Sequence, residues 1–208
     1  MPVLMTLILC SYPLIVHLSV YFGHVVWAAY FLATFFALPL PYYLIRWRRP
    51  NWLIVLSTTY SILIFWLAGT QAETLLFAQP IIINSLIFLI FISSLFGNSG
   101  SLIGRFAKII KPDASNEIME YCRWVTWAWA LFFLVMAVLS WFLSAYASIE
   151  AWSWFTNVLT YILVGLMFIV EYIVRKILMK DFIDRSFIQF IRDLRQVDYR
   201  QVARQWWL

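Results

Sequence analysis

The residues of this chain able to do chemistry are few and widely spaced. His17 and His24 are its two histidines. A b-type haem needs imidazoles on opposite sides of one iron. Seven positions apart on one helix, these two would stand roughly 10.5 Å apart along its axis and could not clasp a single haem. His17 has no carboxylate in its own apolar segment, so both histidines read as structural or interfacial. Glu171 is the acid set deepest in apolar sequence, and a charge in such surroundings demands a partner. Arg123 opens the preceding apolar run at a matching depth, with Tyr121 and Thr126 beside it. These four are expected to form one polar cluster, with Glu171 and Arg123 as a latch between two helices or as a site for a headgroup or acyl substrate. Asn84 and Asn157 lie inside apolar runs, where amides serve as glue between helices. No phosphate loop, H-E-x-x-H, G-x-S-x-G or cysteine–histidine metal pattern occurs. Cys10 and Cys122 fall at different depths, which argues against a disulfide. No catalytic residue, cofactor or metal site is expected.

The elements that must position these groups follow from composition. Of 208 residues, 64% are hydrophobic and 12% charged, with 12 Trp, 11 Tyr and 18 Phe. A soluble domain is nearer half apolar and a quarter charged. Residues 1–45 hold no charged side chain. As one helix they would run roughly 68 Å, about twice a hydrocarbon core, so the chain must turn back. The turn falls at Tyr21-Phe22-Gly23-His24. Pro13, Pro39, Pro41 and Pro80 can kink the segments that hold them. The predicted fold is all-α and polytopic, with six transmembrane helices over about 3–22, 24–44, 52–69, 74–96, 124–149 and 151–174. Residues 1–175 form this membrane domain, and residues 176–208 a cytoplasmic tail.

Charge sets the orientation. Three basic residues follow helix two (Arg46, Arg48, Arg49) and four follow helix four (Arg105, Lys108, Lys111, Arg123). Eight lie at or beyond Arg175, and together these are all 15 Lys and Arg. The turns after helices one, three and five have none, and two of them carry Glu73 and Glu150. The positive-inside rule then puts both termini and the basic loops in the cytoplasm. The formal charge of +5 is a flanking charge of membrane segments and does not point to nucleic acid. The N-terminus lacks a basic region before its apolar run, so no cleavable signal is expected.

Two cytoplasmic segments are amphipathic. In the tail, Phe182, Ile183, Phe187, Phe190, Ile191 and Leu194 recur at helical spacing. That helix would lie on the membrane, dock a partner or pack under its own helices, with Trp206-Trp207-Leu208 as an interfacial anchor. In the loop of about 97–123, Phe106, Ile109 and Ile110 alternate with Arg105, Lys108 and Lys111. This reads as a short interfacial helix, or as a contact for an acidic protein or anionic lipid.

Several phrases carry a resemblance. Pro80-x-x-x-Asn84 leading to Leu95-Phe96-Gly97 is one. Tyr121-x-Arg123-x-Val125-Thr126-x-x-Trp129-x-x-Phe132-Phe133 is another, followed by Asn157, Tyr161 and Glu171-Tyr172-x-x-Arg175. Together they resemble a family of small polytopic bacterial inner-membrane proteins encoded beside acyl-carrier-protein and ketosynthase genes of aryl-polyene and fatty-acid-like pathways. The likeness covers about residues 74–195 and extends to the first three helices only in hydropathy. It implies a setting in acyl-chain synthesis or export at the inner membrane, and no activity.

Three functions compete. A non-catalytic accessory or scaffold protein would recruit pathway enzymes, since acyl-carrier proteins are typically acidic and the cytoplasmic rim is basic. A small lipid or polyene carrier or flippase would need a polar path near Asn84, Asn157 and Glu171, and an oligomer would suit it. An interfacial enzyme modifying acyl chains or headgroups would use Tyr121, Arg123 and Glu171. Of the three, the accessory protein is preferred.

Overall fold

Reversal of the first apolar run is accomplished within three residues. Helix α1 (Pro2–Tyr21) ends where Gly23 adopts φ +73°, a left-handed conformation that glycine enters without a Cβ penalty. Three backbone bonds close the turn: Phe22 N–H to Leu18 O at 3.0 Å, Gly23 N–H to Val20 O at 3.0 Å and His24 N–H to Ser19 O at 2.7 Å. Helix α2 (Val25–Ala37) follows at once. The computed structural model describes residues 2–37, 51–97, 100–110 and 112–178. The expected end of helix two, the Arg46–Arg49 segment, Pro39, Pro41 and the amphipathic tail lie outside these.

Beyond α2 the described residues hold α3 (Asn51–Thr70), α4 (Ala72–Phe96), α5 (Leu102–Ile110), α6 (Asn116–Tyr146) and α7 (Ile149–Leu178), and no strand. Four of these, α3, α4, α6 and α7, are long and apolar enough to cross a membrane. The segment expected to be an interfacial helix is α5. Helix α6 starts eight residues before the expected 124. Its first turns carry Glu117, which suits the positive end of a helix dipole, so charge marks the end of the apolar run and not of the helix. Ser148 caps α7, its Oγ accepting from Ala151 N–H at 3.3 Å.

The surface of the long helices is apolar. Trp52 is 65% exposed, Ile62 66%, Leu131 60% and Ile169 55%. Within their apolar stretches, serine and threonine hydroxyls turn onto their own helix. Ser61 donates to Ser57 O, Thr126 to Cys122 O, Ser140 to Met136 O and Thr156 to Trp152 O, at 2.7–2.9 Å. A hydroxyl that bonds the carbonyl one turn back needs no water, the arrangement required where the solvent is hydrocarbon.

The chain divides into two compact units, the first of residues 1–83 and 136–162, the second of 84–135 and 163–208. In the first, Ala28, Ala29, Ala33 and Ala68 are fully buried. Such small residues let helix backbones approach closely, which is how helices associate where apolar burial gives no drive. Gly69 belongs to the same contact, because a Cβ there would lie 2.7 Å from Tyr30 Oη. Larger residues, Tyr12, Val16, Leu76 and Trp152, complete the core, with Phe77 edge-on to Trp152 at 4.8 Å. The core of the second unit includes Leu95, Leu102, Ile118, Val125 and Trp129. Trp129 stacks with Phe133 at 5.7 Å and meets Phe168 at 4.7 Å.

Candidate functional site

Each unit has its own polar network. In the first, α1 presents His17 to α7, where its Nδ1 lies 3.1 Å from Ser153 Oγ. The amide of Asn157, one turn later, donates to Ser153 O at 3.2 Å, Ser153 Oγ at 3.3 Å and Thr156 Oγ1 at 3.2 Å. Trp154 sets its ring edge-on to His17 at 5.6 Å. Locally α7 widens into a π turn over Phe155–Leu159. Thr160 reinforces it, both its N–H and its hydroxyl bonding Phe155 O. π turns recur at functional positions. A serine beside a histidine is also the arrangement of an activated nucleophile. Ser153, however, is wholly enclosed, and no substrate carbonyl could reach its Oγ. The network ties α1 to α7.

His17 and Asn157 were singled out in the sequence, and Ser153 joins them. Ser153 and Thr156 were missed, since an i, i+4 serine–asparagine spacing recurs by chance in any serine-containing helix. The same unit holds a second tie that sequence reading did not find, Tyr12 Oη donating to Gln79 Oε1 at 3.0 Å.

The expected cluster of the second unit is there in part. Tyr121 Oη lies 3.3 Å from Glu171 Oε1 and 3.4 Å from its backbone oxygen. The ion-pair partner of Glu171 is Arg175, one turn along the same helix, with Nε 3.5 Å from Oε1 and its guanidinium 5.9 Å from the Tyr172 ring centre. Arg123 makes no ion pair among the described residues. Helical phase explains the difference. Positions 121 and 123 are about 200° apart around α6, so a helix that meets Tyr121 cannot also meet Arg123.

Thr126 has a separate task. Fully buried, it accepts a long bond of 3.4 Å from Ile103 N–H in the first turn of α5. Ser94 accepts from Leu102 N–H at 2.9 Å and Ser101 from Gly104 N–H at 3.3 Å. Three backbone N–H groups that a helix start leaves unpaired are thus held by hydroxyls. Gly104 packs so closely that a Cβ would lie 2.8 Å from Met119 Cε. The amphipathic α5, with Lys108 exposed, is therefore fixed to its unit.

Next to that attachment is a cleft of about 630 Å³. Glu120 and Arg123 line it from α6, and Leu95, Met119, Trp124 and Trp127 supply apolar wall. Asn84 is buried in this unit. Cys122 is a free, buried thiol. Among the described residues no group of three His, Cys, Asp or Glu could hold a metal ion. No protein-family model, curated protein or solved structure matches the chain.

Proposed function

We propose that this chain is a six-span protein of the bacterial inner membrane, with α1–α4, α6 and α7 as the spans and both termini in the cytoplasm. It acts there as an accessory scaffold for acyl-chain synthesis or export. Residues 176–208 form a cytoplasmic amphipathic tail, and α5 lies on the same face. The observation that carries the reading is the fixing of α5. Hydroxyls of Ser94, Ser101 and Thr126 hold the start of a basic amphipathic helix, on the face where the positive-inside rule gathers every Lys and Arg. A positively charged, pre-ordered surface beside the bilayer suits an acidic cytoplasmic partner such as an acyl-carrier protein, because complementary charge raises the encounter rate and selects the partner.

The detergent-solubilised full chain, passed over an immobilised acidic acyl-carrier protein, is expected to bind, and to be released as salt screens exposed charges. Lys108→Glu should weaken retention by about tenfold, on the order of one charge-assisted contact. Retention that neither salt nor Lys108→Glu alters would overturn the proposal.

A further inference from the structure

The cleft beside α5 carries opposite charges on one wall. Glu120 and Arg123 are three residues apart on α6, so they share a face with Cβ atoms about 5–6 Å apart. Such a pair commonly bridges itself. Here neither residue forms an ion pair among the described residues; both are exposed and both line the cleft. Ser101 adds a hydroxyl that already accepts from Gly104 N–H at 3.3 Å, and the remainder of the lining is apolar or lacks side chains. Trp127 is steadied by edge contact with Phe96 at 6.2 Å. Gly97 and Gly100 add bare backbone to the lining, and Gly100 at φ +84° favours glycine. The carbonyl of Gly100 is already engaged by Arg105 Nε at 2.9 Å.

We propose that this cleft holds the headgroup of a zwitterionic aminophospholipid from the surrounding bilayer, its phosphate against Arg123 and its ammonium against Glu120. A two-carbon linker between phosphate and amine spans the separation of two side chains one turn apart. The guanidinium offers paired donors to phosphate oxygens, and the carboxylate accepts N–H bonds from a primary ammonium but none from a trimethylated one. An anionic headgroup without an amine would satisfy Arg123 and leave the Glu120 carboxylate beside like charge. Tryptophans at the mouth suit the glycerol and first carbons of a lipid lying at the membrane interface. The volume, about 630 Å³, is that of a ligand pocket and fits a headgroup with the start of its chains. This inference stands independently of the scaffold reading, since it involves neither Lys108 nor a protein partner.

Native mass spectrometry of the full chain in detergent tests it, with phosphatidylethanolamine, phosphatidylcholine and phosphatidylglycerol of identical acyl chains added in turn. The ethanolamine lipid should be retained about tenfold better than either other lipid, as one charged hydrogen bond would give. Glu120→Gln should abolish the preference over choline lipid. Arg123→Gln should weaken ethanolamine and choline lipids alike, with Arg123→Lys restoring part of the binding, and Lys108→Gln should change nothing. Soluble phosphoethanolamine should not displace the lipid; if it binds equally well, the lipid source is wrong. Equal retention of ethanolamine and choline lipids, a preference for the glycerol lipid, or indifference to both Glu120→Gln and Arg123→Gln would overturn the assignment.

Discussion

In the first unit an imidazole, a hydroxyl and a carboxamide close on one another around the enclosed Ser153. In the second, Glu171 and Arg175 carry full charges, and their side chains keep 17% and 27% of their surface exposed. The contrast is one of solvation. Groups without formal charge can be buried once their hydrogen bonds are made, whereas ions held away from water demand more than a partner provides. The first network is accordingly a tie between helices. The second stays near the basic C-terminal end of α7, and the residue expected to complete it, Arg123, opens onto a cleft instead.

Filling the enclosed site should have the largest effect. Ser153→Leu adds a net two heavy atoms where there is no space and removes the hydroxyl that partners His17 Nδ1, so it should lower unfolding free energy by about 3 kcal/mol, read from thermal unfolding in detergent. Ser153→Ala should cost about 1 kcal/mol. A loss as small as the alanine change for both would show that the pocket is loose.

Glu171→Gln should have a smaller effect, about 1 kcal/mol, because the pair is partly screened by solvent. It should be matched by Arg175→Gln and not by Arg123→Gln, which should leave stability unchanged. Equal destabilisation by Arg123→Gln and Arg175→Gln would restore the cross-helix latch that the sequence alone had suggested. Tyr121→Phe should cost least, about 0.5 kcal/mol, since its two long bonds to Glu171 leave the ion pair intact. A loss larger than that of Glu171→Gln would make the phenol, and not the charge pair, the main tie.

The difference between the two networks also marks what the sequence could show. The hairpin at Tyr21–His24 was legible because an uncharged run of about 68 Å must fold back and Gly23 is its only conformationally free residue. Helix α5 was legible from the spacing of Phe106, Ile109 and Ile110 against its bases. The start of α6 was not, because apolar content ends at the membrane boundary while backbone hydrogen bonding continues through Asn116. The partner of Glu171 was misjudged because depth was matched and helical phase was not. Ser153 left no signal at all, since what distinguishes it is its neighbour on another helix, 136 residues away in sequence.

The central claim, that α5 and all the basic segments share one side of a membrane the chain crosses six times, is tested most directly by accessibility in intact cells. In a background with Cys10→Ala and Cys122→Ala, single cysteines are placed at Glu73, Glu150, Lys108 and Arg200 and exposed to an impermeant thiol reagent. Glu73→Cys and Glu150→Cys should label from outside, and Lys108→Cys and Arg200→Cys only after the membrane is opened. Labelling of Lys108→Cys or Arg200→Cys in sealed cells would contradict the account.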